Sequence, residues 1–251
     1  ANQTDTALNT GVATQLTAIK DAVAPVVAIN AVGTINNSNK TNYTVTGTCT
    51  TGDGNVSYTF ASPSGGTDVT GSVICNIGGV WTTGTINLTG LNDDLVITFD
   101  AQQTDTNSNT GNAIQLTAIK DTNNPVIAIN TTSTVNAGNY TLYSVSGTCT
   151  SGDGNISYTL ASPSGGTDVT GSVACNTNTW TTGSISLAAL NDDAAITFDA
   201  YQIDSNSNTG NATQLSALKD IVLPSVAINA VSTISNANYT AYTVSGTCTT
   251  G

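Results

Sequence analysis

The stretch YTVTGTCTTGDGNVSYTFASPSGGTDVTGSVIC, residues 43–75, reads as three strands separated by two turns. In the first, Tyr43, Val45, Gly47 and Cys49 occupy every second position. That period of two places them on one face of a half-buried strand. TTGDGN is a turn, and VSYTFA at 56–61 is the next strand. A Pro-Ser-Gly-Gly turn leads into TDVTGSVIC at 67–75, where Val69, Gly71, Val73 and Cys75 share a face. Thr, Val and Tyr suit a pleated surface, while Gly, Asn, Asp and Pro suit tight turns.

The same pattern extends in both directions. Upstream, Pro25 opens PVVAIN, with Val27 and Ile29 on alternate positions. Downstream come WTTGTINL at 81–88, the turn LNDD, LVITFD at 95–100 and AIQLTAI at 113–119. Seven short strands with turns roughly every 8 to 12 residues predict an all-β chain of immunoglobulin-like Greek-key β-sandwiches. A β-helix would repeat about every 20 to 25 residues, and no such sub-period is visible. Regular apolar alternation and paired cysteines also argue against a disordered chain.

The unit is repeated. Cys49, Cys149 and Cys248 mark a spacing of 100 and then 99 residues. The lost residue lies just before a tryptophan, where CNIGGVW at 75–81 becomes CNTNTW at 175–180. A turn tolerates such a change. Pro25, Pro125 and Pro224 each precede a first strand. The predicted division is a preceding module's last hairpin and strand at 1–24, complete modules at 25–124 and 125–223, and a following module's first strands at 224–251. Ala1 matches Ala101 and Ala200, and Gly251 matches Gly52 and Gly152. The sequence is therefore expected to be an excerpt from a longer chain.

Composition excludes several functions. There is no His, and the formal net charge is −12. All sixteen acids are aspartate. Such a field repels nucleic acid and anionic lipid, and it attracts divalent cations. Neither nucleic-acid binding nor membrane insertion by this segment is expected. Without His, no nucleophile–base pair of the usual kind can be assembled. Paired carboxylates occur only in turns, whereas a glycosidase needs them across a cleft. The chain is not expected to be an enzyme.

Three patterns carry chemistry. Cys49 and Cys75 lie 26 residues apart, as do Cys149 and Cys175, each on the apolar face of its strand. Two such faces meeting in a sandwich bring Cβ atoms within disulfide reach. Cys248 is the third copy of the first cysteine, and the chain stops before its partner. One disulfide per module implies an oxidising compartment. Without any CxxC or His, metal binding by these cysteines is not expected.

The second pattern is DTNSNTGN at 105–112 and DSNSNTGN at 204–211. Asp105, Asn107 and Asn109, like Asp204, Asn206 and Asn208, place side-chain oxygens on alternate residues of a bending loop, as in calcium sites. The first copy reads DTALNTGV, so Ala7 removes one oxygen. The competing reading is an Asn/Gly hairpin whose side chains cap their own turn. The third pattern is Lys20, Lys120 and Lys219 at one repeat position. It reads either as an exposed strand-end lysine paired with the adjacent Asp21, Asp121 or Asp220, or as a buried lysine able to form an isopeptide bond. Sequons at Asn42, Asn55, Asn139 and Asn155 follow from the Asn/Thr content and matter only if the organism glycosylates its surface.

Pro-x-Val-x-Ile, then YTVSGTC (YSVSGTC at 143–149), the tryptophan strand, LNDD, ITFDA and Asp…Gly-Asn follow in a fixed order. This order resembles the bacterial immunoglobulin-like (Big-type) tandem repeats of large surface adhesins, over essentially the whole chain. The resemblance implies an extracellular, cell-surface rod, an adhesin stalk or filament shaft, whose partners are neighbouring modules of the same chain. Two alternatives remain open: a self-assembling filament or surface-layer subunit, whose partners are other copies of itself, and a carbohydrate-binding sandwich. A sugar platform needs exposed aromatics, and Trp81 and Trp180 read as core instead.

Overall fold

A computed structural model describes residues 1–249. The chain divides into two compact units, Ala1–Thr122 and Asn123–Gly251. All regular structure among the described residues is β.

In the first unit a short hairpin, β1 (Asn2–Thr4) with β2 (Thr10–Val12), precedes the sandwich. One sheet has the order β3 (Ala28–Ile29), β4 (Thr46–Thr48), β7 (Val80–Thr82). The other has the order β10 (Leu116–Lys120), β8 (Asp94–Thr104), β5 (Val56–Ala61), β6 (Val69–Val73), with β9 (Thr110–Asn112) on the far end of β8. Pairs such as β4-β7 and β5-β8 bring together strands that are not consecutive in sequence, as in a Greek key. The second unit repeats this arrangement. Its strands are β11 (Ala128–Ile129), β12 (Val135–Asn136), β13 (Ser146–Thr148), β14 (Ile156–Ala161), β15 (Val169–Val173), β16 (Thr179–Thr181), β17 (Asp193–Ile203), β18 (Thr209–Asn211) and β19 (Leu215–Asp220). The sheets are β11-β13-β16 and β12-β19-β17-β14-β15. β20 (Val226–Ile228) and β21 (Gly246–Cys248) pair beyond them.

The core follows the alternation. Tyr43, Val45 and Cys49 are buried, as are Val56, Tyr58 and Phe60. Trp81 is the largest buried side chain. Its indole lies over Gly47, and Nε1 donates to the Ala28 carbonyl at 3.1 Å. Trp180, Gly147 and Ala128 repeat the arrangement. Cys49 follows β4 in one sheet and Cys75 follows β6 in the other, and they are joined by a disulfide. Cys149 and Cys175 form its counterpart. In a chain-entropy account, each bond stabilises its module by roughly 3 kcal/mol.

Several elements depart from the sequence expectation. The tryptophan strand is short, and Ile86 rejoins Tyr43 only as an isolated bridge. The strand expected at 95–100 runs on to Thr104 and turns back as β9. A further segment at Ile35, and at Val135 in the second unit, pairs in parallel with the last strand. The turn that lost a residue changes type. Thr177 and Asn178 both adopt positive φ, giving a two-residue hairpin, whereas 77–79 uses Gly79 at φ 72°. Two positive-φ central residues match the right-handed twist of the flanking strands.

A Cβ at Gly47 would stand 2.0 Å from the Ala28 oxygen and 2.4 Å from Trp81 Nε1, while one at Gly33 meets nothing within 4 Å. Gly47→Ala should therefore cost about 3 kcal/mol by overpacking, and Gly33→Ala should change little; urea denaturation of the two variants measures the difference.

Candidate functional site

The Asn-rich hairpin between β8 and β9 is held by its own aspartate. Asp105 Oδ1 accepts from the backbone N–H groups of Asn107 and Asn109, both at 2.8 Å. Its Oδ2 accepts from Asn109 Nδ2 at 2.8 Å. The Asn109 side-chain hydrogen bond is the main cause holding the Asp105 carboxyl below its ordinary value. Ser108 takes φ 70° to close the turn. Asp204 binds Asn206 and Asn208 in the same way. So does Asp5 with the backbone of Ala7 and with Asn9, although Asn107's counterpart there is an alanine. The middle asparagine is therefore not needed for the turn. In the first unit its side chain reaches elsewhere, and Asn107 Nδ2 donates to Asp21 Oδ2 at 2.8 Å.

Asp21, Asp105, Asn107 and Asn109 thus converge. Among the described residues no three His, Cys, Asp or Glu groups gather as a metal site. Asn107 and Asn109 direct amide nitrogens, not oxygens, at the two carboxylates. A cation would fit here only with both amides rotated.

Each sandwich has two distinct poles. At the first, the incoming chain lies against β9, so that a Cβ on Gly111 would stand 1.8 Å from the Pro25 oxygen. Gly210 meets Pro125 at 1.9 Å in the second unit. Gln103, fully buried, pins the nearby turn. Its Oε1 accepts from Thr50 N at 2.9 Å, and its Nε2 donates to the Thr50 and Gly54 carbonyls, both at 2.8 Å. Gln202 repeats all three bonds. Sequence reading overlooked this glutamine. Its only signal was its recurrence at 3, 103 and 202 beside varying neighbours.

At the opposite pole the lysines decide the geometry. Lys120 and Lys219 are buried, not exposed, and their partners are not the adjacent aspartates. Lys120 Nζ lies 2.5 Å from Asp93 Oδ1, and Lys219 Nζ lies 2.5 Å from Asp192 Oδ1. A strand-end lysine reads as solvated from sequence, but here the paired segment at Ile35 covers it. Asp93 also accepts from Thr122 N at 2.9 Å and from its hydroxyl, and Asp192 accepts from Ile221 N at 3.1 Å. Lys20 is exposed. Cys248 is exposed and unpaired.

An open groove of about 290 Å³ on the outer sheet face of the first unit is lined by Ser57, Thr59, Asp100, Gln102 and Asn112. The Asp100 carboxylate is already engaged there by Gln115 Nε2. Trp81 and Trp180 are buried and offer no platform.

Solved structures similar to this chain are tandem adhesin repeats and fibronectin-like modules. A tetra-tandem repeat from the extending region of a large adhesion protein aligns at 19% identity and TM-score 0.35, over 90% of this chain and 56% of that one. A 1.5-MDa bacterial ice-binding adhesin, studied for its retention at the host cell surface, aligns at 19% identity and TM-score 0.44, over 85% and 70%. Fibronectin(III)-like modules of Clostridium thermocellum CbhA align at 9% identity and TM-score 0.36, over 78% and 94%. The chain therefore spans little more than half of the first of these. No protein-family model matches the sequence, and no curated protein matches it.

The Asp192 carboxyl lies below its ordinary value of 3.8, chiefly through the hydrogen bond from Lys219. A depressed folded value stabilises the fold above the ordinary value, and this stability is lost as pH falls through the folded one. Acid titration of unfolding should show this loss below about pH 4, and Asp192→Asn should flatten that part of the curve.

Proposed function

We propose that this chain is a spacing element of an extracellular repeat protein, a rod that holds two things apart. One observation carries the reading: in each sandwich the chain enters at one pole and leaves at the other. Pro25 lies against Gly111 in β9, and Ile35 lies beside Lys120 at the end of β10. The passage between those levels rises about 30 Å at the usual strand spacing. Pro125–Gly210 and Val135–Lys219 repeat this. Such a module holds its entering and leaving chain segments at opposite poles. Short linkers stiffen the chain, and Asn107 fastens the linker residue Asp21 to the module that follows. The two disulfides suit an oxidising exterior.

A self-assembling filament is the second reading. Among the described residues strand β6 pairs only with β5, and Val69–Val73 carries no charge or proline to guard the open edge. Small-angle scattering of the multi-module protein at micromolar concentration distinguishes the two. An extended monomer is expected of a spacer, and ordered polymers of a filament subunit. A compact particle, or tight binding of a defined glycan by one module, would overturn both.

Calcium is proposed at the hairpins of Asp105 and Asp204, more weakly at that of Asp5. Calorimetric titration should show saturable binding that is lost on changing Asp105 and Asp204 to Ala. A flat titration assigns these loops to hydrogen bonding alone.

The disulfide also sets how far a module can stretch. It closes a loop of sequence separation 26 from Cys49 to Cys75, whose Cα atoms are 5.9 Å apart. Under tension those residues stay hidden. Single-molecule unfolding with reductant should lengthen each module's extension by about 85 Å, given some 3.5 Å per extended residue.

A further inference from the structure

The first and last segments of each module touch. Ile35 N donates to the Ile119 carbonyl at 2.8 Å, and Asp121 N donates to the Ile35 carbonyl at 2.9 Å. In the second unit Val135 and Asn136 pair with Lys219 and Asp220. The pairing is parallel in both. This direction has a mechanical meaning. Tension on the incoming chain draws the Ile35 segment toward the first pole. Tension on the outgoing chain draws β10 toward the second. The two segments are thus pulled past each other along their common axis. Their hydrogen bonds are loaded together, in shear, and do not open one at a time as in a hairpin pulled from its ends.

The buried ion pair lies at the same place. Lys120 belongs to β10 and is the residue opposite Ile35. Its ammonium is held by Asp93, in the turn before β8, and Asp93 also receives Thr122 beyond the strand. Sliding β10 outward would drag the enclosed lysine side chain, 3% exposed, away from a carboxylate that is itself only partly exposed. Breaking a buried pair while leaving one charge unpaired is strongly unfavourable. Both modules carry the pair at 2.5 Å.

We infer that the parallel pair between the Ile35 segment and β10, latched by Lys120–Asp93, carries the tension in the module, with Val135, β19 and Lys219–Asp192 as its counterpart. This rests on the reading of the chain as a spacer and deepens it by naming the bonds that carry tension. The rest of the module has a different task. Strands β5 and β6 lie inside the loop closed by Cys49–Cys75. They contribute to equilibrium stability but lie off the path of the force.

The test is single-molecule pulling on the oxidised chain, held by its two ends, with one module altered and the other as an internal standard. Asp121→Pro removes the donor to Ile35 and suits the extended conformation expected before proline. Asp93→Leu with Lys120→Met replaces the ion pair by apolar groups, a change that often leaves equilibrium stability intact. Val56→Ala weakens the shielded core instead. The altered module's lifetime under constant load should fall roughly tenfold for Asp121→Pro, about the worth of one hydrogen bond, and should also fall for the double variant. Val56→Ala should lower the urea midpoint yet leave the loaded lifetime near that of the standard. Equal lifetimes for Asp121→Pro and the standard would overturn the assignment. So would a loss in Val56→Ala as large as in the clamp variants. Failure of the spacer reading looks different: scattering would show a compact particle, whatever the loaded lifetimes of the variants.

Discussion

An indole ring laid over a glycine lets β4 and β7 of the first sheet pair with the core filled between the sheets. With three Phe and two Trp in 251 residues, the chain has little bulk with which to fill two sandwiches. Trp81 therefore does several things at once. It fills the core, lies over Gly47 in the neighbouring strand, and uses its only polar atom on the Ala28 carbonyl. A buried indole N–H needs such a partner. Any side chain at 47 would push the ring away and with it the strand that carries it. Tyr58 and Gly71 form a second contact of this kind in the other sheet, with the ring again over a glycine. The modules are thin, and close backbone approach replaces volume.

Thin cores place more weight on polar ties, and these sit at the poles. Gln103 fixes the turn at 50–54, Asp94 holds Ser64, and Asn92 reaches the Ser64 carbonyl at 2.7 Å. Each tie joins a loop to a residue far away in sequence. Together they pin the loops at the ends of a module.

Much of this was legible in the sequence, for a physical reason. Strand faces obey a period of two, so Tyr43, Val45 and Cys49 announced their burial, and the equal spacing of Cys49–Cys75 and Cys149–Cys175 pointed to partners on facing sheets. What could not be read depended on distant pairing. Lys120 looks solvated because it ends its strand beside Asp121, and the chain segment at Ile35 covers it. Asp93 looked like half of a turn doublet, yet it and Asp94 serve opposite sides, one binding Lys120 and the other Ser64. The hairpin at 105–109 was ambiguous because asparagine offers both an oxygen and an amide. In the fold, Asn107 and Asn109 direct their amides at carboxylates.

The contact between the first and last segments of a module also governs how such a chain is made. A polypeptide that emerges from its N-terminal end exposes the Ile35 segment long before residues 116–120 are available to cover it. The sandwich cannot close until nearly the whole module has appeared, and its pairings are non-local, which slows folding. During that interval a near-copy is close at hand, since LTAIK at 116–120 and LSALK at 215–219 differ little. The last strand of one module can therefore compete for the vacant edge of the next, the exchange to which tandem repeats are prone.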